Sequence, residues 1–203
     1  MDRSPPRSWA SAVDRFWAAD GHERPLVRDR AVNAWERRLA TESDTLGLGE
    51  ALGRQLRAGD LVGLCGPLGA GKTTFVRGLA KGLDIHPATV VRSPSFTLCH
   101  EYRGRLTVLH QDWYRLHDAR QADALDLLES TDRSSVGLVE WADLFPSVLP
   151  PHTIWVRMDP LGEGRRVRIT DGTGNSRWVA ELVDPDSLED GWTAVDTPTP
   201  WAP

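Results

Sequence analysis

Cysteine is scarce. Cys65 and Cys99 are the only two in 203 residues, and their separation fits no metal or redox spacing. A disulfide framework is excluded, and each is expected as a small buried apolar group. The six histidines, His22, His86, His100, His110, His117 and His152, are scattered and form no zinc-type pair. No apolar run reaches the ~18 residues that a membrane helix needs. The opening "MDRSPPRSWASAVDRF" is broken by charges where a secretion signal would be apolar. A cytoplasmic location with no membrane partner is therefore expected. Basic excess is missing too. Net charge is −5, and its acidity sits in residues 181–203, which hold six acids and no base. No broad basic face advertises direct binding of DNA or RNA.

What is present is ordinary for a globular chain: 40% hydrophobic and 26% charged residues, enough for one domain. Residues 1–37 contain helical spacings, Trp9, Val13, Phe16, Trp17 and then Val27, Ala31, Trp35, Leu39, which suit two short amphipathic helices in a partly flexible extension. Residues 38–182 alternate. "ERRLAT" suits a strand, and "SDTLGLGEALGRQLRAGD" a helix opened by a Ser or Asp cap. "LVGLC" is a buried strand, followed by a helix from Lys72 to about Leu83. "LTVLHQD" and "SVGLVEW" are two more strands, with the helix-like "ARQADALDLLES" between them. "TIWVRM" and "RRVRIT", joined by "DPLGEG", read as a C-terminal hairpin. The alternation predicts an α/β fold of three layers around a mainly parallel sheet. Residues 183–203, rich in Pro, Asp and Thr, are expected to form a disordered tail.

The chemistry is concentrated at "GPLGAGKT", residues 66–73, which fits G-x-x-x-x-G-K-[ST] without a gap. The glycines let the backbone turn several N–H groups onto one anion. Lys72 would reach the β- and γ-phosphates of a nucleotide, and the Thr73 hydroxyl would ligand Mg²⁺. Thr74 and Phe75 begin a helix whose positive end adds to the attraction. Two apolar strands end in acids, Asp112 and Glu140. In a parallel sheet both would converge on the γ-phosphate, one holding the metal and the other orienting or deprotonating a water. Between loop and first acid, "VRSPSFTLCHEY" offers hydroxyls that could sense a γ-phosphate as a switch, or could equally be a hairpin loop.

Taken in order and spacing, "GPLGAGKTTFVRGLAKGL", "SPSFTLCHEY", "LHQDWYRL" and "LVEW" resemble the TsaE (YjeE) family, bacterial ATPases of tRNA threonylcarbamoyladenosine biosynthesis. The resemblance runs over roughly residues 38–170 and implies a P-loop NTPase-like fold binding ATP and Mg²⁺. It implies that Gly66 and the run Gly69, Ala70, Gly71, Lys72, Thr73 and Thr74 wrap the phosphates. Thr73 and Glu140 would hold the metal, and Asp112, in the Walker-B-like position, would support the metal or the attacking water. Trp141 would shape the nucleotide pocket, Ser93 and Thr97 fall in the switch-like segment, and Glu42 and Arg165 fall where the family approaches the nucleotide. Partners would be TsaD and TsaB homologues, with tRNA held indirectly through them. Three positions depart from the family: Ser95 for Thr, Trp113 for Leu, and Pro67 for a common Asp in the loop.

Three other readings compete. A small-molecule kinase would need an acceptor pocket and lid, for which residues 113–135 are short. A GTPase would carry Asn-Lys-x-Asp, which is absent from the sequence. A scaffold merely stabilised by nucleotide would keep its function without Asp112 and Glu140.

Overall fold

The structure is a computed structural model and describes residues 33–131, 134–172, 182 and 191–196. The chain enters on β1 (Asn33–Leu39) and α1 (Glu42–Gln55). The phosphate-loop unit follows as β2 (Leu61–Cys65) and α2 (Lys72–Gly82). Next come β3 (Cys99–Arg103), β4 (Thr107–Asp112), the short helices α3 (Ala119–Asp123) and α4 (Leu127–Ser130), and β5 (Ser135–Glu140). The hairpin β6 (Ile154–Leu161) and β7 (Gly164–Asp171) precedes β8 (Thr193–Asp196).

One eight-stranded sheet takes the order β3-β4-β5-β2-β6-β7-β1-β8. Its centre, β4-β5-β2-β6, is parallel, and antiparallel strands extend it on both sides. Alternation along β2 sorts the core into two faces. Val62 and Leu64 pack with Leu52, Phe75 and Leu79 of α1 and α2. Leu61 and Cys65 pack with Trp113, Leu127 and Trp155 on the other side, beneath α3 and α4. Three layers result, as the alternating pattern predicts.

Helices α1 and α2 meet through glycine. Gly49 and Gly53 on α1 face Gly78 and Gly82 on α2, and a Cβ on any of the four would fall inside 3.0 Å of the opposing backbone. This contact sets α1 tightly beside the helix that carries the phosphate loop.

The start of α1 is fixed by Thr41, not by the expected Ser or Asp. The Thr41 hydroxyl accepts from Asp44 N–H at 3.1 Å, and the Asp44 carboxylate accepts from Thr41 N–H at 2.8 Å. The reciprocal pair satisfies two otherwise unpaired donors. That bonding, the Thr41 backbone first, holds the Asp44 carboxyl below its usual range. Thr41→Ala is expected to lower stability by about 1 kcal/mol in chemical denaturation. Because the folded-state pKa of Asp44 is depressed, its contribution is present above the ordinary carboxylate pKa and fades as pH falls through the folded value.

Other expectations are corrected. Trp35, placed on a helix by spacing, lies in strand β1 together with Leu39, which "ERRLAT" places in a strand; β1 pairs with β7 and β8, so the expected boundary at residue 37 falls inside a strand. The single helix over 119–130 is two short ones, interrupted where Asp126 takes a left-handed φ of 57°. Within the stretch expected as disordered tail, Thr193–Asp196 joins the sheet as β8. Cys99 is exposed rather than buried, while Cys65 is buried as expected. The helical spacings before residue 33 lie outside the described residues. Among the described residues no helix is long and apolar enough to cross a membrane.

Candidate functional site

Strand β2 ends at Cys65, and residues 66–71 wrap from it to the first turn of α2. Gly66, Gly69 and Gly71 have φ of 128°, 78° and 104°, the left-handed region that suits glycine. Gly71 is the helix N-cap and supplies no side-chain cap bond, and no acid lies in the first turn. Phe75 N–H is the donor that closes onto Gly71 O, at 2.9 Å. The amides of Lys72, Thr73 and Thr74 therefore have no intrahelical acceptor. Ala70 is buried and donates its N–H to Pro67 O at 3.2 Å. Pro67 itself is exposed, and its carbonyl serves the loop as an acceptor. Positive-φ glycines and unpaired amides at a helix start have the geometry that suits an anion.

Lys72 is only 5% exposed. Its Nζ donates to Gly66 O at 2.7 Å and Pro67 O at 2.9 Å. The ammonium also sits 3.7 Å from the centroid of the Trp141 ring. Burial pulls its pKa down, while the carboxylates of Glu140, Asp143 and Asp112 pull it back up. One cation is thus enclosed with three acids.

The two strand-end acids lie on the α2 side of the sheet. Register places Asp112 beside Glu140, and Glu140 beside Leu64. Both acids are 3% exposed. The Thr73 hydroxyl donates to the Glu140 carboxylate, lying 3.0 Å from Oε1 and 3.1 Å from Oε2. Asp112 accepts from Tyr114 N–H at 2.9 Å and makes a short hydrogen bond with the Ser93 hydroxyl. The 91–98 segment is irregular, and β3 then forms an antiparallel hairpin with β4. The segment is therefore part of a hairpin and also delivers a hydroxyl to a site acid.

The remaining sequence candidates divide. Glu42, at the start of α1, accepts from the Thr74 hydroxyl at 3.3 Å. Arg165, from β7, lies over the loop, where a Cβ on Gly71 would collide with its guanidinium. Its Nε is buried without a partner. Trp141 has a left-handed φ of 62° and stacks with Tyr114 at 4.8 Å between ring centroids. Thr97 points elsewhere: its exposed hydroxyl pairs with His100 Nε2 at 2.9 Å. Of the departures, Trp113 is fully buried on the opposite face of the sheet and bonds Gln111 Oε1 through its indole N–H at 2.9 Å.

Sequence reasoning missed three side chains here. His110, wholly buried, has Nε2 3.1 Å from Glu140 Oε1; its i−2 spacing from Asp112 on a strand was the available signal. Asp143 lies in the short 3₁₀ turn Ala142–Leu144 after Glu140, which had no sequence signal. Burial raises the pKa of Asp143, and its Oδ2 is 4.0 Å from Arg157 Nη1. Tyr114 escaped notice because its role combines a backbone N–H with a ring stack.

Residues 39–167 match the family model described as Threonylcarbamoyl adenosine biosynthesis protein TsaE. The tRNA threonylcarbamoyladenosine biosynthesis protein TsaE of Treponema pallidum is 40% identical over 123 residues, covering 61% of this chain and 90% of that protein. Its Bacillus subtilis counterpart is 35% identical over 139 residues, covering 68% and 85%. Among solved structures, Bacillus subtilis YdiB superposes with a TM-score of 0.64 at 30% identity, covering 78% of this chain and all of that one.

Proposed function

Because the chain belongs to the TsaE family of tRNA threonylcarbamoyladenosine biosynthesis, we propose that it is the Mg²⁺-dependent ATPase of that machinery. In this reading it cycles TsaD and TsaB homologues and reaches tRNA only through them. The observation that carries the reading is the Thr73 hydroxyl held at 3.0 Å and 3.1 Å on both oxygens of Glu140, beside the glycine cradle. The positive-φ glycines and free helix amides fit an anion. A hydroxyl and a carboxylate fit a hard cation. Among the described residues no group of three or more His, Cys, Asp or Glu is placed to hold a metal.

Each residue then has a task. The amides of Gly69, Gly71, Lys72, Thr73 and Thr74 bind the phosphates, Ala70 N–H staying on Pro67 O, and Lys72 exchanges its two loop carbonyls for the β- and γ-oxygens. Thr73 and Glu140 would hold Mg²⁺, which when bound neutralises charge on the phosphate oxygens. Asp112, fixed by Ser93 and Tyr114 N–H, orients the attacking water. Arg165 and Glu42 bracket the loop, and Trp141 lines the pocket. The segment bearing Ser93 and Thr97 responds to the γ-phosphate through the Ser93–Asp112 bond.

The test is phosphate release from ATP by the full chain, alone and with TsaD and TsaB homologues, with GTP as competitor. Slow release alone is expected, because an open site excludes water poorly. A rise of about tenfold or more with the partners is expected, as from closure over the site. A chain that releases no phosphate under either condition would falsify the ATPase reading.

A further inference from the structure

The metal reading of Glu140 leaves one geometric question open: what fixes the rotation of its carboxylate. Thr73 does not, because its hydroxyl is nearly equidistant from the two oxygens, at 3.0 Å and 3.1 Å. His110 does distinguish them. Its Nε2 lies 3.1 Å from Oε1. The ring comes from β4, where His110 pairs with Leu138 and so sits one step below Glu140 on the same sheet face. Tyr102, on neighbouring β3, covers the imidazole with ring centroids 6.2 Å apart.

The bonding also fixes the tautomer. An ionised carboxylate only accepts, so the proton belongs on Nε2. Nδ1 is buried with no partner. This ring is aimed at one oxygen and leaves its other nitrogen alone.

We propose that His110 is the positioning residue for Glu140: its Nε2–H pins Oε1 and so presents the carboxylate to a divalent cation shared with Thr73. The inference rests on the metal reading of Glu140 given above. It assigns His110 no contact with nucleotide, so its effect belongs to the metal-dependent part of binding alone.

The experiment measures binding of a fluorescent ATP analogue to the full chain, across a Mg²⁺ titration and in EDTA. Outer partners of metal ligands are typically worth about 10–100-fold in metal affinity. His110→Phe should raise the half-maximal Mg²⁺ concentration by about that factor and leave the affinity in EDTA within about threefold. His110→Gln keeps an N–H donor and should recover most of the loss. If His110→Phe does not fold, His110→Asn, too short to reach Oε1, carries the same expectation. A folded variant with the wild-type Mg²⁺ requirement overturns the proposal. So does an equal loss with and without Mg²⁺, which marks a purely structural role. A wild-type chain whose nucleotide binding ignores Mg²⁺ overturns the metal reading itself, whereas a Mg²⁺-dependent wild type beside an indifferent variant overturns only the role of His110.

Discussion

Lys72→Met is expected to lower affinity for MgATP at least about 100-fold and to abolish measurable hydrolysis, while leaving the melting temperature close to wild type. The two halves have one cause. Lys72 is a buried cation whose pKa is depressed by desolvation. A lysine with a lowered folded-state pKa favours the folded state only where it is neutral, above its ordinary pKa, and that contribution is lost as pH falls through the folded value. At neutral pH the charge therefore opposes folding. Met keeps the stem volume under the Trp141 ring and removes that opposition, but it also leaves Glu140, Asp143 and Asp112 without the cation and the Gly66 and Pro67 carbonyls without their donor, so the two effects offset. Binding moves the other way. Without the ammonium, phosphates approach Glu140, Asp143 and Asp112 with no fixed side-chain cation from the loop to offset them. Losing one member of such a buried charge arrangement typically costs about 2–5 kcal/mol of binding, and about 2.7 kcal/mol is already 100-fold. Isothermal titration and a melting curve on the same preparation check both halves. A variant that binds MgATP normally removes Lys72 from the proposed chemistry. One that loses binding only because it melts far below wild type shows that Lys72 is structural.

The loop was legible because a turn this tight between strand and helix restricts residue type at consecutive positions: glycine where φ is positive, at Gly66, Gly69 and Gly71, with Lys72 and Thr73 directly after. The parallel strands were legible as short apolar runs, and their terminal acids stood out against them. What failed to show depends on distant pairing. Strand β1 sits between β7 and β8, partners about 130 and 160 positions away; its second half was legible in "ERRLAT", while the helical spacing through Trp35 masked its start. Strand β8 is four residues long and has no pattern of its own; pairing with β1 makes it a strand. The expected Ser or Asp cap gives way to Thr41 because several small polar residues stand together there, and only the reciprocal bond with Asp44 decides. His110 hid for a related reason: an imidazole inside "TVLHQD" reads as an ordinary strand residue until β5 brings Glu140 against it.

Gly78→Ala is expected to destabilise the protein by about 3 kcal/mol, and Gly47→Ala, on the neighbouring helix, to stabilise it by about 0.5–1 kcal/mol. A methyl on Gly78 would overlap Leu46 O and press within 3.0 Å of Glu50 N. Both are helix backbone, which cannot swing aside as a side-chain tip can. The alternative is to separate α1 from α2, which opens the packing of Leu48, Leu52, Phe75 and Leu79 and carries overpacking costs of about 1–3 kcal/mol or more. For a chain of this size that is a fall of about 6–12 °C in melting temperature. Gly47 has nothing within 4 Å of a built Cβ and lies exposed on α1, so Ala there simply improves helix propensity. Separation of the helices would also carry Glu42 away from Thr74, across a bond of 3.3 Å. Gly78→Ala should therefore weaken nucleotide binding as well as stability, although it touches no proposed ligand group. Equal melting temperatures for the two variants would show that the helix contact yields more easily than its backbone distances imply, and would remove close glycine packing as the device that holds α1 against the loop.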